Sequence, residues 1–178
     1  MNSRIFSLGC TAFMCINPCI AQAPVDRTGE IVMKTNKGSF KILSPADKKA
    51  FGKIQMSFKG TILIVGYEGT APITTTPGLR VEYKNDKYAR IEYFGEGTLT
   101  LDGKFRAIQW FGKNLNMFWS GLGICRVYGE FDKNNETGTY AIKGEPVRYW
   151  GSGGTTFTVP ARVSSSEAPP VIIKKGGG

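Results

Sequence analysis

Residues 95–103 read GEGTLTLDG and residues 121–129 read GLGICRVYG, two copies of G-x-G-x5-G. A shorter copy, GTILIVG, occupies residues 60–66. Five residues between glycines are too few for an ordinary helix and match a common strand length. Inside the copies apolar side chains alternate, as in Leu99 and Leu101 or Cys125 and Val127, the period of a half-buried strand. The chain therefore reads as all-β.

Turn chemistry around these strands suggests how they connect. Asp102-Gly103 is a two-residue hairpin signal between LTL and KFRAIQW. Gly112-Lys113-Asn114 and Ser120-Gly121-Leu122-Gly123 read as further turns, with glycines at strand ends. About eight strands result, an antiparallel meander curled into a sandwich or barrel-like single domain. The 26-residue offset between the two long copies also fits a β-solenoid with three short strands per coil. One hairpin, LRVEYKNDKYARIEYF (79–94), has a natural register. Pairing Tyr83 with Ala89, Val81 with Ile91 and Leu79 with Tyr93 gathers six apolar side chains on one face. It also sets Glu82 opposite Arg90 and Arg80 opposite Glu92.

Outside the β region the composition changes. Arg4, the apolar run Ile5 to Ile20 and the small residues Ala21 and Ala23 read as a secretory signal peptide over residues 1–21. Residues 22–52 read as a lead-in packing on the β domain. They offer two short strands, Glu30 to Thr35 and Ser39 to Leu43, and a helical turn opened by Ser44-Pro45. The β domain spans 53–160. Residues 161–178, rich in Ser, Pro, Lys and Gly, read as a flexible tail.

Several chemistries drop out on composition. The chain has no histidine, which removes Ser-His-Asp triads, Cys-His dyads and histidine-ligated metals. Cys10, Cys15 and Cys19 leave with the signal, so Cys125 can form neither an intrachain disulfide nor a thiolate cluster. At its strand position it reads as a small buried hydrophobe. No cofactor or metal is implied. With 23 Lys+Arg against 14 Asp+Glu the net charge is +9, which suits acidic partners as well as plain solubility. The lysines are scattered and no recognition motif points to nucleic acid. No transmembrane segment follows the signal.

Adjacent aromatic pairs carry the main functional hint: Tyr93-Phe94, Trp110-Phe111, Phe118-Trp119 and Tyr149-Trp150. Neighbours on a strand point to opposite faces, so one ring of each pair can enter the core while the other faces away. Phe94, Phe111 and Phe118 form the expected outward set. Such rings are open to three roles: cover by a second layer, self-association into a homo-oligomer or partner contact, or a ligand groove. With Lys104, Arg106, Lys113 and Arg148 near them in sequence, a groove would suit an acidic polysaccharide. Glu96, Glu130 and Asp132, near strand ends, are the candidates for a carboxylate-based hydrolase. Asp132 to Gly138 has a superficial likeness to a calcium loop but lacks its glycine and distal glutamate, and reads as a turn between Phe131 and Tyr140.

The stretch GEGTLTLDGKFRAIQWFGKNLNMFWSGLGICRVYGEFDKN resembles exported bacterial β proteins with glycine-punctuated strands and, more loosely, the head domains of surface adhesins. The likeness covers residues 60–131, under half the chain. It implies a secreted, non-catalytic envelope role and supplies no site residues. The expected function is thus binding or structural association at the cell envelope. A carbohydrate-binding module and a carboxylate-based hydrolase are the alternatives.

Overall fold

The computed structural model describes residues 28–69, 71–151 and 153–160. Residues 1–21, read as a signal peptide with three cysteines, and residues 161–178, read as a flexible tail, lie outside the described residues. Ten strands follow one another: β1 (Gly29–Leu43), β2 (Ala50–Val65), β3 (Glu68–Gly69), β4 (Thr74–Thr75), β5 (Leu79–Asn85), β6 (Arg90–Phe105), β7 (Ala107–Gly129), β8 (Thr139–Ile142), β9 (Arg148–Tyr149) and β10 (Thr155–Val159). They form one antiparallel sheet that is not closed into a barrel. The single all-β domain matches the sequence reading. The solenoid alternative does not, because long strands run back and forth in one sheet.

The strands are longer than the turn signals suggested. β6 passes through Asp102-Gly103 without turning, and β7 passes through both Gly112–Asn114 and Ser120–Gly123. Only Asn114, at φ 54, interrupts the ladder. There β7 carries one more residue than β2, a bulge. Residues 22–52, read as a lead-in, supply β1, which lies inside the sheet: its residues 31–34 run between β7 and β8, and its residues 38–43 run between residues 107–112 and 124–129 of β7. Both halves expected there are present as one strand through Asn36–Gly38. Ser44 caps no helix. Its Oγ donates to the carbonyl oxygens of Phe105 and Arg106 and accepts from the Ala50 N–H, tying β1 to the turn between β6 and β7.

Register alone shows that the sheet folds over on itself. β1 has 15 residues and would be about 50 Å long if straight. Yet Gly29 pairs with Gly121 while Leu43 pairs with Ile124. Three residues of chain span at most about 11 Å. The two ends of β1 must therefore approach each other, and the strand bends back near Asn36–Gly38. Its inward positions change parity at the same place: Ile31, Met33 and Thr35 before it, Phe40 and Ile42 after it. β7 does likewise, with Ile108 and Trp110 before the Asn114 bulge and Leu115, Met117 and Trp119 after it.

The folded sheet encloses one core. Phe40 stacks on Trp110 at 5.7 Å and Phe58 meets the same indole edge-on at 6.5 Å. Cys125 is fully buried among these side chains, and burial pushes its thiol pKa far up, so it is a core hydrophobe rather than a nucleophile.

The hairpin 79–94 keeps its strands but not the expected register. Leu79 pairs with Gly95, Arg80 with Phe94 and Val81 with Tyr93, and after a bulge at Glu82 the pairs are Tyr83 with Glu92 and Asn85 with Arg90. Val81 and Tyr83 are exposed, so the six-member apolar face does not form. The charges pair along each strand instead: Arg80 with Glu82 at 2.6 Å and Arg90 with Glu92 at 3.7 Å. Exposed ion pairs are worth well under ~1 kcal/mol and do not hold a register against backbone packing. Here Gly78 sits so close to Gly95 that its carbonyl fills the space a side chain would need.

Candidate functional site

The glycines that punctuate the sequence line up into two rows across the strands. The corner row is Gly129, Gly38, Gly112, Gly60 and Gly95. The end row is Gly29, Gly121, Gly52, Gly103 and Gly69. The spacing between rows is G-x7-G on β2 and β6, and G-x8-G on β1 and on the bulged part of β7. Close backbone approach explains the residue type. A Cβ on Gly60 would stand 2.7 Å from the Gly112 Cα, and one on Gly52 would stand 2.7 Å from the Gly121 Cα. Both glycines also have φ near +139°, which side-chain-bearing residues avoid.

The residue after or before each corner glycine points outward, and the outward positions form two parallel rows. On one side run Tyr128, Ser39, Phe111, Thr61, Phe94 and Arg80. Aromatic rings thus occur on every second strand with a small hydroxyl side chain between them. Strands lie about 4.8 Å apart, so neighbouring rings repeat at about 9.6 Å. All three rings are open to solvent: Phe94 at 43 %, Phe111 at 67 % and Tyr128 at 45 % exposure. The Arg80 guanidinium covers the Phe94 ring from 5.2 Å, a cation–π contact that ends the row. Ser39, Phe111 and Tyr128 also line a shallow cleft of about 290 Å³ with Lys37, Gly38, Gly129 and Glu130.

On the other side of the corner glycines run Lys37, Lys113, Lys59 and Glu96. The outer lysines are paired, Lys37 with Glu130 at 3.3 Å and Lys59 with Glu96 at 3.0 Å. Lys113 stands between two lysines. Beyond the rings, the next outward row carries Arg126, Lys41, Gln109, Leu63 and Glu92. The Tyr128–Phe111 half is therefore flanked by cations on both sides.

The aromatic pairs behave as the strand period predicts. Tyr93, Trp110, Trp119 and Trp150 are buried, while Phe94, Phe111 and Phe118 are exposed. The structure does not bring all three together. Phe118 pairs with Gln55 and Val32 on the other limb of the folded sheet, beyond the Asn114 bulge. Its surroundings are neutral: Gln55, Ser57, Thr98 and Asn116 line a cleft with it. Of the four basic candidates, only Lys113 joins Phe94 and Phe111. Lys104 pairs with Phe51 and Glu68 beside the end row. There the Lys49 ammonium holds the Glu68 carboxyl below its ordinary pKa, first by a hydrogen bond and then by charge. Arg106 occupies the turn after β6, and Arg148 on β9 pairs with Glu145 at 2.9 Å. Sequence reasoning missed Tyr128, Lys37, Lys59, Lys41 and Arg126.

Glu96 and Glu130 do not converge as a hydrolytic pair. Glu96 and Glu130 lie at opposite ends of the lysine row, about 19 Å apart by strand count, whereas glycosidase carboxyls sit roughly 5–9.5 Å apart. Asp132 is held by its own turn, accepting from the Asn134 N–H at 2.8 Å and from Asn135 Nδ2 at 2.7 Å, which lowers its pKa. Among the described residues no cluster of three or more acids or cysteines is placed to hold a metal, and no helix is long and apolar enough to cross a membrane. No protein-family model, curated protein or solved structure matches this chain.

Proposed function

We propose that this is an exported, non-catalytic envelope protein that binds an acidic polysaccharide, laid across the strands along the Phe94–Phe111–Tyr128 row. The observation that carries the reading is the pairing of two rows on one surface: exposed rings on every second strand, and a parallel row two residues away that carries lysines on its three middle strands and a glutamate at each end. Rings offer flat apolar faces to the CH faces of pyranose units, and lysines meet carboxylates. Ser39 and Thr61 keep the floor low between the rings and present hydroxyl groups to sugar hydroxyls.

Affinity electrophoresis tests this. Gels containing polymannuronate or polygalacturonate are expected to retard the protein, and gels containing neutral dextran are not. A Phe94→Ser, Phe111→Ser double variant with wild-type thermal stability is expected to run unretarded. Failure of every acidic polymer to retard the wild type, or stronger retardation by single-stranded DNA, would overturn the reading. So would light scattering that shows an oligomer dissolved by the double variant, since the rings would then be a self-association face.

A further inference from the structure

The geometry of the row points to one class of chain: we propose that the site reads an extended β-1,4-linked uronan, stacking every second sugar on a ring. This rests on the polysaccharide reading above and narrows it. Three observations bear on it. First, one strand spacing of about 4.8 Å is close to the rise of one pyranose unit in an equatorially linked 1,4 chain, so two strands match a disaccharide. Second, the rings recur on alternate strands and the intervening positions are Ser39 and Thr61. In a chain near two-fold screw symmetry, alternate sugars present the same face to one side, which is what alternate rings require. Third, cations flank the Tyr128–Phe111 half of the row on both sides, Lys37 and Lys113 on one and Lys41 and Arg126 on the other, while Phe94 stands between Glu92 and Glu96 at the far end. A two-fold chain throws successive carboxylates to opposite sides. Axially linked uronans are shorter per unit and place their carboxylates differently, so they fall out of step with the rings.

The row also sets a length. Four strand spacings separate Phe94 from Tyr128, so a chain touching all three rings needs at least five sugars. Ordinary sheet twist turns successive rings by about 45°, so the bound chain takes up about that much twist per disaccharide on top of its two-fold repeat, which a single chain can follow and a flat crystal face cannot.

Titration calorimetry with β-1,4-mannuronan oligomers of two to ten sugars, beside α-1,4-galacturonan oligomers of equal length and charge, tests this. Affinity for the β-linked series is expected to climb to about six sugars and then level off. The α-linked series is expected to bind at least tenfold more weakly at six sugars. Tyr128→Ser is expected to move the plateau down by about two sugars. Equal affinity for both linkages at equal charge, or no plateau, would overturn this inference while leaving acidic polysaccharide binding intact. Absence of binding to either series and to the parent polymers would overturn both.

Discussion

The two glycine rows use one backbone device and carry different surfaces. At both, strands pack so closely that a Cβ has no room, and at both the spacing along the chain is the same G-x7-G, lengthened by one where β1 and β7 change parity. The flanks differ. Beside the corner row stand rings alternating with Ser and Thr on one side, and three adjacent lysines on the other. Beside the end row the outward residues are Glu30, Ser120, Lys53 and Asp102 on one side, and half-buried Phe51 with Lys104 and Glu68 on the other, without a repeat in either. Folding needs the glycines at both rows. It does not need Phe94, Phe111 and Tyr128, because the end row packs its strands just as closely without such a set. The ordered surface at one row alone is the reason to read it as functional.

If the glycines are architectural at both rows, they should be equally intolerant. Gly60→Ala at the corner and Gly52→Ala at the end are each expected to cost about 2–4 kcal/mol, from a positive φ and a backbone clash together. Urea unfolding of both variants measures it. A large loss at Gly60 with none at Gly52 would break the equivalence and make the corner row special in folding too.

Ring removal should have the opposite profile. Phe111→Ser is expected to leave stability within about 0.5 kcal/mol, because the ring is exposed, and to weaken acidic polysaccharide binding about tenfold, or ~1.4 kcal/mol. Phe118→Ser, at 37 % exposure on the other limb, is expected to leave binding unchanged. Equal losses from both would mean that the ligand does not distinguish the limbs.

The lysine row is expected to contribute less. Lys113→Ala should reduce affinity about threefold at low salt and flatten its salt dependence, while Lys53→Ala beside the end row should do neither. Binding across a range of sodium chloride concentrations separates the two. A matching effect from Lys53 would reduce the corner row to one part of a uniformly basic surface.

How much of this was legible in the sequence varies by level. The strand period was readable, and it placed Trp110, Trp119, Leu99, Leu101 and Cys125 inside and Phe94, Phe111 and Phe118 outside. Strand ends were not, because Asp102-Gly103 has good hairpin chemistry and nothing local says that Gly52 and Gly69 will flank Gly103. The alternation does carry a clue: Leu99, Leu101 and Phe105 keep one parity straight through Gly103, which a two-residue turn would not require. The proposed binding row has a signature too. Lys37-Gly38-Ser39 and Lys59-Gly60-Thr61 run one way, and Phe94-Gly95-Glu96, Phe111-Gly112-Lys113 and Tyr128-Gly129-Glu130 run the other. Read antiparallel, these tripeptides set hydroxyl beside ring and charge beside charge. What hides it is that nearness in sequence is not nearness in space: Lys104 and Arg106 lie close to Phe111 along the chain, but Lys104 stands beside the end row and Arg106 in the turn after β6.

The acids that close the lysine row offer the finest test of the comparison. Glu96 neutralises Lys59 at 3.0 Å and faces the same solvent as the rings. An anionic chain reaching that end of the row must compete with it. Glu96→Gln removes the competitor and keeps the shape, so affinity is expected to rise about twofold at low salt and the gain to vanish at high salt, the size of an exposed ion pair. Asp102→Asn makes the same charge change one limb away, beside Gly103 in the end row. Its effect should be smaller than that of Glu96→Gln, because net charge alone acts through a screened field while Glu96 stands within the row itself. Equal gains from the two would show that binding follows total charge and that the corner row holds no particular path for the chain.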